Sequence, residues 1–179
     1  MWVWMDIEMT SLVDVNTDQI IEIAAVITDK ELNVIAEGPE IVVHADKSAF
    51  ERIGPEVLAL HTKSGIIPAS IASTVTLAQA EQEMLAFLEQ YTEKGTAPLC
   101  GNSMHMDRMF MKAQMPKLYE HLFYRNIDVS TLKELARRWK PELYDEWQNM
   151  KGEKVHRAKE DILRSIEELK FYREKLLAL

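Results

Sequence analysis

Three short apolar runs open the chain, at residues 2–9, 20–29 and 32–43. Each is rich in aromatic and branched aliphatic side chains, which is typical of buried strands. Only Lys30 and Glu31 separate the second run from the third, a spacing that favours a hairpin turn. The N-terminal quarter therefore predicts three strands that pair antiparallel. This limits the chain to folds built around a sheet.

Strands and helices alternate in the rest of the chain. Apolar residues spaced three and four apart predict helices, and short apolar runs predict strands. The elements expected are a helix over 76–92, strands at 97–101 and 126–129, a helix from Ser130 or Thr131 to about Lys140, and a last helix over 157–177. This order indicates an α/β or mixed α+β layer fold. At 179 residues, with no internal repeat or long linker, we expect one domain over 1–179.

Particular residues set the expected helix ends. Asn102 and Ser103 are placed to cap the helix that follows the strand at 97–101. Ser130 or Thr131 is placed to cap the next helix in the same way. Pro141 should end that helix, because proline disfavours helical backbone at the residue before it.

Composition and charge exclude several classes of protein. Hydrophobic residues make up 47% of the chain and charged residues 28%, as in soluble globular domains. A net charge of −8 argues against a general nucleic-acid coat or a membrane-surface protein, since both need a broad basic face. The single cysteine, Cys100, excludes an intrachain disulfide framework and suits a reducing compartment. No apolar run approaches the roughly 18 residues of a spanning helix, and no signal peptide is expected.

Asp6 and Glu8 are unusual members of the first apolar run. Side chains alternate along a strand, so residues two apart leave the same face, roughly 7 Å apart at the backbone. Burying two like charges together is costly unless a cation offsets them. The spacing alone leaves two interpretations open: a metal site, or a strand end exposed to solvent.

Two further acidic residues fall among apolar side chains. Asp107 has Met104, Phe110 and Met111 as helical neighbours, so it lies within the stripe that should face the core. Asp161 lies on the apolar face of the last helix, near its start. Taken singly, each has an ordinary explanation, namely soft core packing around Asp107 and a first-turn acid favoured by the helix dipole at Asp161.

Together, three separate segments send four carboxylates toward the core. Oxygen ligands of this kind, without cysteine, select Mg²⁺ or Mn²⁺ over a structural zinc. His156 precedes Asp161 by five residues, which in a continuous helix would turn the two roughly 140° apart. They can share a site if His156 comes before the helix, on the charged segment 150–155. A lone histidine there also has a plainer interpretation, as a surface residue or a cap.

Several motifs resemble those of the DEDDh exonucleases, a superfamily with a ribonuclease-H-like fold. They are Asp-Ile-Glu-Met-Thr at 6–10, Gly-Asn-Ser at 101–103 with Asp107 beyond it, and His-Arg-Ala-Lys-Glu-Asp at 156–161. Longer segments are similar to one family within it, the oligoribonucleases. These are Ile-Ile-Glu-Ile-Ala at 20–24, Ala-Glu-Gly-Pro at 36–39, His-Thr-Lys-Ser-Gly at 61–65, Tyr124-Arg125, and the 14-residue run at 128–141. Asp-x-Glu alone is common, so the resemblance is made specific by the 14-residue run and by the order of the motifs.

The resemblance implies a 3′→5′ exoribonuclease that hydrolyses short oligoribonucleotides, dinucleotides especially, to nucleoside 5′-monophosphates. Two divalent cations, Mg²⁺ or Mn²⁺, would be held by Asp6, Glu8, Asp107 and Asp161, with His156 as general base. Two such ions about 3.5–4 Å apart bind the attacking water and the leaving 3′ oxygen. A neutral imidazole near pH 7 can take the proton of that water. The fold implied is a ribonuclease-H-like mixed sheet, three antiparallel N-terminal strands plus parallel strands, flanked by helices.

The resemblance also implies substrate contacts at nine residues: Met9, Thr10, Leu12, His61, Ser103, Tyr124, Arg125, Ser130 and Thr131. Leu12 would be a wedge between two bases, and Tyr124 would stack on the substrate. The 5′ phosphate would be held by His61, Ser103, Arg125, Ser130 and Thr131. Tyr124 and Arg125 would reach in from the partner of a homodimer. Read alone, Leu12 is loop packing, Ser130 and Thr131 are helix caps and Arg125 is a surface charge.

Three positions depart from the family pattern. Ser11 stands where glycine is common, Met106 where a polar residue usually precedes the metal aspartate, and Glu56 where an aromatic residue often stacks a base. Stacking contributes about 1–3 kcal/mol per base, so Glu56 puts part of the substrate affinity in doubt. The residues implied to bind metal are all present.

Two alternatives stay open from the sequence. Another DEDDh activity, such as DNA proofreading or tRNA trimming, would use the same five catalytic residues, although the acidic charge and the lack of a basic tract argue against a long strand. A non-catalytic interaction domain would normally have lost ligands, and all five are here. The expected partners are short RNA and a second copy of the chain, with no long duplex and no membrane. The expected location is the cytoplasm, or the mitochondrion if a targeting segment precedes residue 1.

Overall fold

The computed structural model describes residues 1–51, 53–152 and 157–177, and its centre is a five-stranded mixed sheet. The strands are β1 (Trp2–Met9), β2 (Ile20–Thr28), β3 (Val34–Val42), β4 (Pro98–Gly101) and β5 (Phe123–Asp128). Their order across the sheet is β3-β2-β1-β4-β5. Strands β1, β2 and β3 pair antiparallel, whereas β4 pairs parallel with both β1 and β5. The mixed sheet with an antiparallel start, expected from the sequence, is confirmed.

Eight α-helices lie in the described part of the chain, together with a short 3₁₀ helix at Lys47–Phe50. They are α1 (Pro55–Ser64), α2 (Ile66–Ala72), α3 (Leu77–Leu88), α4 (His105–Gln114), α5 (Pro116–His121), α6 (Val129–Trp139), α7 (Pro141–Met150) and α8 (Ala158–Lys175). The helices at 76–92, at 130–140 and at 157–177 were expected, with ends that differ by a few residues. The sequence did not predict α1, α2, α5 and α7, each of which has ten residues or fewer.

The alternation of side chains along β1 divides the core between the two faces of the sheet. Val3, Met5 and Ile7 pack into one apolar cluster with residues of α3, α4 and α5. Trp4 faces the other way and packs with residues of α6, α7 and α8. Because Asp6 and Glu8 share the parity of Trp4, their side chains leave the sheet on the face that α8 covers.

Two expected helix caps are wrong. Helix α4 begins after Met104, which makes no side-chain capping bond, and Asn102 and Ser103 lie in the turn before it. Helix α6 is capped by Asp128, whose side chain accepts from the N–H of Ser130. Asp128 precedes the first helical residue, and an extended residue there can direct its carboxylate at the free N–H groups, which Ser130 and Thr131 inside the first turn cannot do.

Pro141 both follows one helix and begins the next. Helix α6 ends at Trp139, as the proline predicts, but Pro141 is also the first residue of α7. The fixed φ of proline suits the first helical position, where no intrahelical N–H bond is lost. Among the described residues, no helix is both long and apolar enough to cross a bilayer.

Candidate active site

Three carboxylates from two elements meet at the end of β1. Asp6 and Glu8 come from the strand, and Asp161 comes from the first turn of α8. One oxygen of each lies within 4.8 Å of the others. Asp161 is buried and Asp6 and Glu8 are half-buried, so their charges repel one another in a poorly solvated place. Three hard oxygen donors at this spacing fit Mg²⁺ or Mn²⁺.

Asp107 enters the same pocket from the opposite face of the sheet, in the first turn of α4. Its Oδ1 accepts a hydrogen bond from the Ile7 N–H at 3.1 Å, so the carboxylate is tied to β1 between Asp6 and Glu8. Burial, with a smaller contribution from the charge of Asp128, raises the pKa of Asp107 to about 7 against the lowering effect of backbone N–H donors. A divalent cation at this position would offset the cost of ionising Asp107.

The pocket that holds these four carboxylates has a volume of about 250 Å³. Its lining combines these acidic side chains with polar and apolar ones. The remaining lining residues are Ile7, Met9, Ser11, Leu12, Val57, Leu60, His61, Asn102, Ser103 and Met106. Leu12, with 54% of its surface exposed, lies at the mouth. Carboxylates that could hold cations, next to apolar side chains, suit a ligand that carries both a phosphate and a base.

His61 lies against the backbone of β1. It is buried, and its Nε2 is 2.8 Å from the carbonyl oxygen of Met9. A carbonyl can only accept, so Nε2 carries a proton and donates to it. The other ring nitrogen, Nδ1, is buried and has no hydrogen-bond partner among the described residues. A buried nitrogen of this kind is a candidate to contact a ligand in the pocket.

Ser103 is held in an unusual backbone conformation by Asp128. Its φ is 59°, in the left-handed region that non-glycine residues seldom adopt. The N–H groups of Ser103 and Met104 donate to the two carboxylate oxygens of Asp128, at 2.9 and 3.1 Å. The Ser130 N–H donates to the same carboxylate at 3.0 Å. Asp128 thus joins the turn before α4 to the start of α6 and brings Ser103 and Ser130 side by side.

Five residues with implied substrate roles do not line this pocket: Thr10, Tyr124, Arg125, Ser130 and Thr131. The buried Thr10 hydroxyl accepts from the Gln19 N–H at 2.9 Å, which closes the loop at 11–18. Thr131 lines a separate groove between α6 and α8. Ser130 is adjacent to the pocket through Ser103, whose N–H is 3.3 Å from the Ser130 hydroxyl.

Tyr124 and Arg125 lie on β5, the edge strand, away from the pocket of their own chain. Tyr124 is 69% exposed, and the Arg125 guanidinium lies 5.2 Å from the centre of its ring. Glu56, one of the departures from the family pattern, is exposed in the first turn of α1. His156 lies outside the described residues. The helix that carries Asp161 begins at Ala158, after Arg157 in an extended conformation.

The sequence interpretation missed three polar residues around the site. Asn102 donates to Ser165 and Glu168 of α8, at 2.9 and 3.1 Å, instead of capping α4. Asp128 had a visible signal, because it directly precedes the first helical residue. Glu22 had one too, since it is a lone acid in the all-apolar run of β2, the same signal that identified Asp6 and Glu8.

The chain is similar to exonucleases over nearly its whole length. A family model described as Exonuclease (RNase T) matches residues 3–169. The oligoribonuclease of Hydrogenovibrio crunogenus is 49% identical over 174 residues, which cover 97% of this chain and 92% of that protein. The mitochondrial oligoribonuclease of Homo sapiens is 48% identical over 97% of this chain and 72% of its own length.

Solved structures show the same fold at much lower identity. Pop2p of S. pombe, in a form with Mg²⁺ and Mn²⁺ bound, has a TM-score of 0.72 at 16% identity, over 98% of this chain and 83% of its own. Exonuclease I of E. coli, in complex with a dT13 oligonucleotide, has a TM-score of 0.75 at 15% identity. This match covers 99% of the present chain and 42% of exonuclease I. The ribonuclease-H-like fold expected from the resemblance is thereby confirmed.

Proposed function

Because this chain belongs to the oligoribonuclease family of exonucleases, it is a metal-dependent 3′→5′ exoribonuclease, and we propose which of its residues carry the reaction. Two divalent cations are held by Asp6, Glu8, Asp107 and Asp161. His156, just before the helix that carries Asp161, is the general base. One exonuclease domain spans residues 1–179.

The observation that carries the assignment is the convergence of the carboxylates of Asp6, Glu8 and Asp161 within 4.8 Å, with Asp107 in the same pocket. Four buried or half-buried acids destabilise a metal-free site, and bound cations would offset this cost by neutralising them. When bound, two such cations activate the attacking water and stabilise the leaving 3′ oxygen. With the carboxylates holding the cations, the phosphodiester would face those cations and the bases would face the apolar residues of the pocket, and His156 accepts the proton of the water.

The substrate we propose is a short oligoribonucleotide, with dinucleotides preferred. A pocket of about 250 Å³ with Leu12 at its mouth is small, which favours one or two bases over a long strand. The Ser103 hydroxyl lies near the start of α6, although there the Asp128 carboxylate already caps the helix and accepts from the Ser130 hydroxyl. His61, with its proton on Nε2, would need a second proton on Nδ1 to donate to a phosphate. The net charge of −8 disfavours additional phosphates outside the pocket.

We also propose a homodimer and a cytoplasmic location. Tyr124 and Arg125 lie on an exposed edge strand and do not line the pocket of their own chain, which is consistent with a contribution to a partner's pocket. The location rests on the single cysteine and on the absence of a spanning helix in the described residues. A mitochondrial location is the alternative, as in the human relative.

The test of the assignment is Asp107→Ala, assayed on a 5′-labelled RNA ladder and on a DNA ladder of the same sequence with saturating Mg²⁺. We expect hydrolysis to fall by more than about a thousandfold while the fold persists, because the variant removes a ligand along with a repelling charge. Glu120→Gln is the control, since Glu120 is an exposed partner of Lys94 far from the pocket. Turnover of Asp107→Ala within tenfold of the wild type would contradict the site. Equal cleavage of DNA and RNA would favour another DEDDh activity.

A further inference from the structure

Glu22 is a completely buried carboxylate next to the acidic pocket, and the proposed reaction does not use it. It lies on β2 directly opposite Glu8 of β1 in the antiparallel pairing. Directly opposite residues project from the same face of a sheet, so Glu22 points toward the face that α8 covers. A charged residue in this position needs a partner, and α8 supplies it.

Both carboxylate oxygens of Glu22 bind the start of α8. The Arg157 Nε donates to Oε1 at 2.8 Å, and the Ala158 N–H donates to Oε2 at 3.0 Å. Arg157 is the residue before the helix and makes no capping bond with its own side chain. Glu22 therefore provides from another strand the cap that α8 lacks in its own sequence.

The anchor continues onto the neighbouring strand. The Arg157 guanidinium also donates to Glu40 of β3, at 2.9 Å. Arg157 is thereby held by two carboxylates on two adjacent strands, which fixes the first turn of α8 both along the helix axis and around it. The apolar side chains of Ile162 and Ile166 hold the body of the helix on the sheet independently of this anchor.

Asp161 is one helical turn from the anchor. Its N–H donates to the Arg157 carbonyl at 3.0 Å, so the two residues are joined by the first hydrogen bond of the helix. A shift or rotation of the first turn would carry the Asp161 carboxylate away from Asp6 and Glu8. Metal sites tolerate little displacement of a ligand, and partners that orient ligands typically change metal affinity by about 10–100-fold when removed.

We propose that Glu22 is a positioning residue of the metal site: through Arg157 and the Ala158 N–H, it fixes the first turn of α8 so that Asp161 faces Asp6 and Glu8. The inference rests on the proposed function, in which Asp161 is a metal ligand. Glu22 is not itself a ligand, because Arg157 and Ala158 engage both of its oxygens.

The test compares Mn²⁺ binding by Glu22→Gln and by the wild type, measured by calorimetry and by the electron paramagnetic resonance of free Mn²⁺. The amide keeps the shape and one acceptor but loses the charge that holds Arg157. We expect Mn²⁺ to bind at least about tenfold more weakly, with kcat recovering toward the wild-type value at saturating Mn²⁺. Glu37→Gln is the matched control, because Glu37 forms only a partly exposed ion pair, at 2.6 Å, with Lys159 of the same helical turn. It should change Mn²⁺ binding less than about twofold.

The outcomes separate this inference from the proposed function. If Glu22→Gln lowers the Tm but binds Mn²⁺ within twofold of the wild type, Glu22 is only structural and the inference is wrong. If Asp161→Ala binds Mn²⁺ as the wild type does, Asp161 is not a metal ligand, and both the ligand assignment and the inference are wrong. Should Glu22→Gln not fold, Arg157→Lys replaces it, since it keeps the charge but loses the guanidinium geometry. If Arg157→Lys then binds Mn²⁺ within twofold of the wild type, the inference is wrong.

Discussion

Asp107 is a residue whose charge is unfavourable in the metal-free protein. It is 6% exposed, and burial raises its pKa to about 7. A carboxyl whose pKa is higher in the folded than in the unfolded state favours folding below its unfolded pKa, and this stability is lost as the pH rises through the folded pKa. The metal-free protein should therefore lose stability between about pH 4 and pH 7, and cation binding should reverse the loss.

The first prediction at this scale is that Asp107→Asn stabilises the metal-free protein at pH 8 and not at pH 4. The asparagine oxygen can still accept from the Ile7 N–H, while the charge is removed. At pH 8 we expect a gain on the order of 2–4 kcal/mol, and at pH 4, where Asp107 is already protonated, almost none. Thermal unfolding in a chelator at the two pH values measures this. An equal gain at both would show that ionisation of Asp107 is not the cause.

The second prediction concerns Leu12 at the mouth of the pocket. Because its side chain is 54% exposed, Leu12→Ala should change the Tm very little. We expect the same variant to lower kcat/KM for a dinucleotide by about tenfold, since the side chain would lose its contact with the bases. Val13→Ala is the control: Val13 is adjacent, 90% exposed and does not line the pocket. Similar kinetics for the two variants would leave Leu12 as an ordinary loop residue.

At the scale of elements, a network of polar side chains joins α6, α8 and the turn after β4 in addition to their apolar packing. The buried Glu168 of α8 forms an ion pair with Lys133 of α6 at 3.2 Å. Both side chains also bind Asn102, at 3.1 and 3.0 Å. Since Asn102 adjoins Ser103, this network joins the two helices to the rim of the pocket.

The third prediction tests that network. Lys133→Met would leave the Glu168 carboxylate, which is 3% exposed, without its counter-charge. Breaking a buried pair from one side costs about 3–5 kcal/mol, and we expect a loss near the lower limit because Asn102 still donates to Glu168. Lys170→Met is matched to it, since Lys170 pairs with the exposed Glu167 on α8, and should cost less than about 1 kcal/mol. Urea unfolding gives both values, and equal losses would contradict the network.

The fourth prediction concerns the contact of α3 with the sheet. A Cβ added at Gly38 of β3 would lie 2.6 Å from Cε1 of Phe87 and 2.9 Å from the carbonyl oxygen of Ala25. The backbone of β2 cannot yield cheaply, so Gly38→Ala should destabilise the fold by about 1–3 kcal/mol. Gly54→Ala is the control, with nothing within 4 Å of the added Cβ. If both variants unfold at the same denaturant concentration, α3 packs less closely than the structure shows.

At the scale of the whole molecule, the charge of the chain and the place of its edge strand act together. A net charge of −8 disfavours long polyanions. The exposed Arg125 of β5 carries a charge that suits a phosphate, and it lies away from the pocket of its own chain. A shared site between two copies would place that charge where a short substrate ends.

The fifth prediction tests this shared site. Arg125→Ala should slow a 5′-phosphorylated dinucleotide by about tenfold or more but change a strand of about 20 nucleotides little, since the long strand forgoes the contact. Mixing Arg125→Ala with Asp107→Ala should restore dinucleotide hydrolysis to about one quarter of the wild-type rate, because each mixed dimer has one complete site. A mixture no more active than the average of its two components would contradict the shared site. A protein that is monomeric by light scattering and still fully active would contradict it too.

Local patterns in the sequence predicted the strands and drew attention to four acidic residues, and the family resemblance then implied the parallel strands and a metal site. Short, nearly continuous apolar runs predicted β1 and β2 almost to the residue, and acids out of place among apolar residues singled out Asp6, Glu8, Asp107 and Asp161. These patterns are visible because a strand or a helix face repeats over a few residues.

Contacts between distant segments were decided by the tertiary structure alone. Asp128 binds the Ser103 N–H across 25 residues, and Glu22 binds the Ala158 N–H across 136. The sequence favoured nearby caps at Ser130 and Asn102, but a free N–H group donates to whichever carboxylate the fold brings within about 3 Å. Packing of the helices on the sheet determines that distance, and no local spacing encodes it. The caps, the anchor of α8 and the separation of Thr131 from the pocket therefore follow from the assembled fold.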